Sequence, residues 1–122
     1  MKILDSTILV DLLRGRQSAQ FLLDSSEEFL TTQVNMYEVI RGFFIQNKPA
    51  SKILAIKDLF ENIRVLPLDD EAVIQAAEIS ASLVKKGVIV EDADCLIAGC
   101  MLSKGITTII TKNRKHFERM EK

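Results

Sequence analysis

A single histidine, two cysteines, two prolines, five glycines and no tryptophan in 122 residues remove several classes of protein at once. With His116 alone, no multi-histidine metal centre of the zinc hydrolase type can be assembled. Cys95 and Cys100 stand five positions apart in an apolar stretch that reads as helix, so their side chains diverge and no disulfide is expected; both read as small buried fillers. The scarcity of glycine and proline excludes a low-complexity or disordered chain. No Gly-rich phosphate loop and no G-x-S-x-G turn occurs, which removes the P-loop and α/β-hydrolase readings. No apolar run approaches the roughly 20 residues that span a bilayer, and no charged-then-apolar leader opens the sequence. No membrane is therefore expected, and the cytoplasm is the expected compartment. A net charge of −1 rules out a globally basic surface, so nucleic acid would have to be held by local patches.

What is present is an ordinary globular composition, 48% hydrophobic and 27% charged, at a length that predicts one domain over residues 1–122. Met1 to Asp5 is a strand candidate, and Ile8, Leu9, Leu12 and Leu13 then fall at helical spacing up to Gly15. A short second helix is expected around Ala19 to Leu23, a strand at Phe29-Leu30-Thr31, and helices over Val34 to Gln46 and Ile53 to Phe60. Ile63 to Leu68 reads as a third strand. Asp69-Asp70 then caps a long helix whose predicted buried stripe is Val73, Ala76, Ala77, Ser80, Leu83 and Val84, ending at Lys85-Lys86-Gly87. Val88 to Val90 reads as a brief extended piece, Ala93 to Ser103 as a compact apolar helix and Thr107 to Thr111 as the last strand. Strands alternating with helices predict an α/β fold, its parallel sheet covered on both faces.

In such a sheet, ligands bind beyond the carboxyl ends of the strands. Asp5 ends the first strand, Asp92 and Asp94 open an apolar helix, and Thr111 to Asn113 end the last strand, so three segments deliver polar groups to one rim. Glu38, flanked by apolar positions within a helix, is a carboxylate that something must satisfy. Should it reach that rim beside Asp5 and Asp94, the three negative charges would repel one another and be relieved by a hard divalent cation, Mg²⁺ or Mn²⁺. Plainer roles fit each residue as well. Asp5 or Ser6 can be a helix N-cap, Asp92 reads more readily as a cap, and Glu38 can pair with Arg41 three positions on.

The order of these segments is itself informative. Ile3-Leu4-Asp5-Ser6-Thr7 with Leu9-Val10-Asp11-Leu12-Leu13, then Tyr37-Glu38-Val39-Ile40-Arg41-Gly42, then Asp94-Cys95-Leu96-Ile97-Ala98, then Ile110-Thr111-Lys112-Asn113 with His116-Phe117, resemble the PIN-domain ribonucleases, and among them the VapC toxins of prokaryotic toxin–antitoxin pairs. Each piece is weak alone; together, in this order and over almost the whole chain, they are specific.

The resemblance implies a three-layer α/β/α fold around a parallel sheet of four to five strands. It implies RNA as substrate, a divalent metal at Asp5, Glu38 and Asp94, Thr7 supporting the first Asp, and Thr111 and Asn113 at the opposite strand end. It also implies a homodimer and a cognate antitoxin. Many relatives carry a fourth acid at the position of Asn113 or three residues later, where this chain has His116, so one metal is expected more readily than two, with Asp92 as partial compensation. Arg41, Lys112 and Arg114, with Arg14, Lys115 and Arg119, are the expected positive patch for the RNA strand, although a charge run of this kind is also compatible with a plain solvated surface. Phe43, Phe44, Ile45, Ile53, Ile56 and Phe60 are divided between core and a partner surface. The two rival functions are a signalling module phosphorylated on an Asp and a non-catalytic binding domain of the same fold.

Overall fold

The structure is a computed structural model and describes residues 1–16, 27–113 and 117–118. The expected helix at Ala19 to Leu23, and Arg114, Lys115, His116 and Arg119, lie outside the described residues.

Four short strands, β1 (Lys2–Leu4), β2 (Phe29–Thr32), β3 (Arg64–Leu66) and β4 (Ile109–Ile110), form one sheet in the order β3-β2-β1-β4. Every pairing is parallel, with Ile3 opposite Leu30 and Ile109, and Thr31 opposite Val65. Between the strands run α1 (Ser6–Leu13), α2 (Gln33–Ile45), α3 (Ala50–Glu61), α4 (Asp70–Lys85) and α5 (Asp92–Leu102). No helix among the described residues is long and apolar enough to cross a membrane.

Side chains alternate across the sheet, so each strand feeds two cores. Ile3, Leu30 and Leu66 face α4 and α5, where they pack with Ala72, Ile97, Cys100, Met101 and Ile106. Leu4 faces the other way and joins Ile8, Leu9, Leu12, Val39, Ile56 and Phe60 from α1, α2 and α3, with Phe29, Val65 and Ile110 against them. The result is the three-layer α/β/α arrangement. Ile3, Leu9 and Leu30 lose all contact with solvent, each contributing roughly 1.5–3 kcal/mol by burial.

The long helix departs from expectation in its rotation. Val73 and Val84, placed in the predicted stripe, are 46% and 73% exposed, and Ala77 is exposed too; the buried side is Ala72, Ala76 and Leu83, with Ser80 half-buried. The reason is the neighbour. A Cβ on Gly99 of α5 would fall 2.7 Å from Ala76 Cβ and 2.8 Å from Ala76 N, so α4 and α5 meet backbone against backbone and only small side chains fit between them. Large apolar residues are turned outward at this contact. Val88 to Val90 form no strand. Asp69 does cap α4, its carboxylate accepting the Ala72 N–H at 3.0 Å, and both cysteines are buried and unpaired as thiols. Of the surplus apolar residues, Ile56 and Phe60 are buried, Phe43 and Ile53 half-buried, and Phe44 and Ile45 are 66% and 61% exposed.

Candidate active site at the strand ends

From β1 the chain moves outward through β2 to β3, then returns to the other side of β1 as β4. The strand order therefore reverses between β1 and β4, and the crevice beyond their carboxyl ends is where a parallel α/β sheet offers a ligand site. Asp5 directly follows β1 and Thr111 directly follows β4. They touch: the Thr111 hydroxyl donates to Asp5 Oδ2 at 2.5 Å, and the Thr7 hydroxyl approaches the same oxygen at 3.4 Å.

Asp5 sits at the N-cap position of α1, yet its side chain makes no capping bond. Its other oxygen, Oδ1, accepts Asn35 Nδ2 at 2.9 Å, and the residue is 5% exposed. Asn35 belongs to the first turn of α2, which Thr32 at the end of β2 caps by accepting the Asn35 N–H at 3.2 Å. The Thr32 hydroxyl donates back to Asn35 Oδ1 at 2.8 Å, fixing which face of the amide points at Asp5. The second Asn35 proton goes to Ser6 Oγ at 3.0 Å, and Ser6 donates to Glu38 Oε1 at 2.7 Å. A relay of neutral donors thus runs from Asp5 through Asn35 and Ser6 to Glu38.

The plainer partner for Glu38 is not used. No Glu38–Arg41 ion pair forms among the described residues, and Arg41 is exposed one turn further along α2. The Glu38 carboxyl is pushed above its ordinary range by burial first; the Ser6 hydrogen bond opposes this, and the negative charges of Asp5, Asp94 and Glu91 add to it. Asp94, 8% exposed, lies in the first turn of α5 and is close enough to act on Glu38. Asp92 opens that helix but is not its cap; Glu91 holds the N-cap position, without a capping side-chain bond. The charges of Asp5 and Asp94 thus both reach Glu38, and Asp92 sits exposed two residues from Asp94.

Among the described residues, no three Asp, Glu, His or Cys side chains stand close enough together, as placed, to hold a metal ion. The donor chemistry nevertheless fits a hard cation. Burial, and after it the charges of Asp92 and Asp94, raise the Cys95 thiol, while burial lifts Cys100 to about 11, so neither supplies a thiolate at neutral pH. Mutually repelling carboxylate oxygens remain, the donors that Mg²⁺ and Mn²⁺ prefer.

On the remaining rim, the Asn113 N–H donates to Thr111 Oγ1 at 2.9 Å and the Lys112 N–H to Thr7 Oγ1 at 3.1 Å. The Lys112 ammonium pairs with Asp11, and Arg14 is exposed at the end of α1. Asn35 and Ser6 are the site residues that sequence reasoning missed. The available signal was spacing, because Asn35 precedes Glu38 by three positions and so shares its helix face.

Known proteins resemble this chain in both sequence and fold. The chain is 31% identical over 119 residues to Ribonuclease VapC1 of Methanocaldococcus jannaschii, covering 98% of this chain and 80% of that one. It is 29% identical over 101 residues to the tRNA(fMet)-specific endonuclease VapC of Salmonella typhimurium, covering 83% and 75%. The crystal structure of DNA-bound VapBC from Salmonella typhimurium superposes with a TM-score of 0.83 at 25% identity, over 98% of this chain and 91% of that one. With an all-parallel sheet whose strand order reverses beside Asp5, and with residues 2–122 matching the PIN domain, the chain belongs to that family.

Proposed function

We propose that this protein is a metal-dependent endoribonuclease, the toxin of a VapBC-type toxin–antitoxin pair, formed as a single catalytic domain over residues 1–122. The observation that carries the reading is geometric: hydrogen bonds through Asn35 and Ser6 join Asp5, at the end of β1, to the half-buried Glu38 on α2, with the buried Asp94 at the start of α5. Asp5, Glu38 and Asp94 would hold Mg²⁺ or Mn²⁺. Such an ion, when bound, acidifies a water and neutralises charge on the scissile phosphate. Thr7 and Thr111 fix the Asp5 carboxylate by donating to Oδ2, Asn35 fixes Oδ1, and Ser6 fixes Glu38. One of the three acids would accept the proton from that water. Asn113, whose amide orients the Thr111 hydroxyl, replaces the fourth acid of many relatives, and Asp92 adds a nearby negative charge.

Exposed Arg41, one turn from Glu38, carries the phosphate-binding role together with Arg114, while Lys112 is engaged within the chain. The names of the similar proteins support RNA as substrate, and the VapBC structure supports a protein partner. We propose a cognate antitoxin whose tail covers the acidic crevice, a homodimer, and action in the cytoplasm, where RNA substrate resides. The exposed apolar side chains Phe44, Ile45 and Leu54 on α2 and α3 are available for such contacts.

The test is cleavage of single-stranded RNA in Mg²⁺ or Mn²⁺. Activity should disappear with EDTA and fall by at least ~100-fold in Asp5→Asn and Asp94→Asn, as expected when a transition-state contact is lost. Folded variants that cut as fast as the parent would refute the assignment.

A further inference from the structure

Asp11 carries a carboxylate that this chemistry does not use, although it is 3% exposed. It lies one helical turn beyond Thr7 on α1, so the two side chains share a face. Both grip the same residue. Thr7 Oγ1 accepts the Lys112 backbone N–H at 3.1 Å, and Asp11 Oδ2 takes the Lys112 ammonium, while Arg16 Nε stands 3.3 Å from Oδ1. Although ordering a long lysine side chain costs conformational entropy, a lysine held at both its amide and its ammonium has its Cα fixed from two directions.

That backbone matters because of what precedes it. β4 is two residues long, so strand pairing ends at Ile110, just before Thr111. Two hydroxyls, of Thr7 and Thr111, donate to Asp5 Oδ2, and each is itself oriented by a backbone N–H from this segment, Lys112 for Thr7 and Asn113 for Thr111. A displaced Lys112 would therefore release both donors from Asp5 together.

We infer that the Asp11–Lys112 pair is a clamp that fixes the end of β4 against α1, so that Thr7 and Thr111 orient Asp5 for divalent-cation binding. Asp11 and Lys112 are positioning residues, acting on Asp5 through Thr7 and Thr111. The inference rests on the reading of Asp5 as a cation ligand. Outer partners that orient a ligand are commonly worth 10–100-fold in metal affinity.

The experiment is calorimetric titration of the full chain with Mn²⁺, alongside kcat and KM on a short single-stranded RNA, for Lys112→Met, Asp11→Asn, the double variant and Asp5→Asn. Each single substitution should weaken Mn²⁺ binding about ten-fold and lower kcat with KM little changed. The double variant should be no weaker than the worse single, because both remove one clamp. Lys112→Met alters a side chain that is 52% exposed, so it keeps the test independent of any folding defect in Asp11→Asn. If Lys112→Met raises KM and leaves Mn²⁺ affinity intact, Lys112 contacts RNA and the clamp is refuted. If Asp5→Asn abolishes Mn²⁺ binding while both clamp variants retain it, the clamp alone fails. If Asp5→Asn binds Mn²⁺ like the parent, the metal-site reading falls and the clamp with it.

Discussion

Gly99→Ala adds one methyl group at the point where α4 and α5 approach most closely. The new carbon would meet the Ala72 carbonyl oxygen, and it would lie 2.7 Å from Ala76 Cβ and 2.8 Å from Ala76 N. Carbon pairs rest at about 3.5–4.0 Å, so the helices must part by roughly 1 Å locally. No rotamer change relieves this, since two of the three opposing atoms are backbone. Overpacking a tight contact costs about 1–3 kcal/mol, and a backbone clash belongs at the upper end. Alanine's better helix propensity returns about 1 kcal/mol. The net loss is about 2 kcal/mol, which for a domain of this length lowers the melting temperature by roughly 6–12 °C. Gly42 in α2 supplies the control, because a Cβ there meets nothing within 4 Å. Gly42→Ala should raise stability by up to about 1 kcal/mol. Thermal unfolding followed by circular dichroism measures both. Gly99→Ala melting at or above the parent would show that the helices can separate freely, and the account of why α4 buries alanines would be wrong. Because α5 also carries Asp94, Gly99→Ala should weaken Mn²⁺ binding, whereas Gly42→Ala should not.

Three further outcomes follow from the site and from the cap of α4. Asn35→Leu keeps the number and branching of side-chain heavy atoms but strips the donors from Asp5 and Ser6 and the acceptor from Thr32; with buried polar groups left unpaired at about 1–3 kcal/mol each, urea unfolding should show a loss of about 3 kcal/mol, and a loss below about 1 kcal/mol would contradict the relay. Glu38 holds its proton to higher pH in the folded chain than in the unfolded one, so stability declines as pH rises from the ordinary value of 4.5 through the raised folded value. In EDTA, Glu38→Gln should therefore be the more stable protein near about pH 7, with the difference gone at about pH 3.5, where both forms are neutral; a difference that is the same at both pH values would rule out the charge effect. Asp69→Ala removes the cap of α4 and should cost about 1 kcal/mol, read as a melting temperature lower by roughly 3–6 °C.

The sequence announced the layers of this fold more readily than their rotations. Strand and helix positions were legible because hydrophobic period distinguishes them, and Asp5 and Asp94 were legible because strand and helix ends mark the rim. The buried face of α4 was not, since amplitude misled: Val73, Ile74 and Val84 outweigh Ala72 and Ala76 on any hydrophobic scale, but what selects the buried face here is the space beside Gly99, a property of two helices together. Asp92 was misjudged for a related reason. A helix start can be placed only to within a residue or two from sequence, and Glu91 takes the cap position instead.

Asn35 was hidden by its type, because a lone amide near a helix start reads as a capping element. Its use becomes visible only when β1 and α2 are side by side and its two protons reach Asp5 and Ser6. The same holds for Asp11, which reads as one more polar position on an amphipathic helix until β4 brings Lys112 to it. Both cases have one cause. The negative charges of Asp5 and Asp94 both bear on Glu38, and the groups that hold these acids come from whichever elements the topology sets beside β1. The acids can be carried by local motifs, but of the two hydroxyls on Asp5 Oδ2 only that of Thr7 is local, while Thr111 comes from 106 positions away. Substitution at the restraining residues should accordingly leave the acids chemically intact and still disperse them.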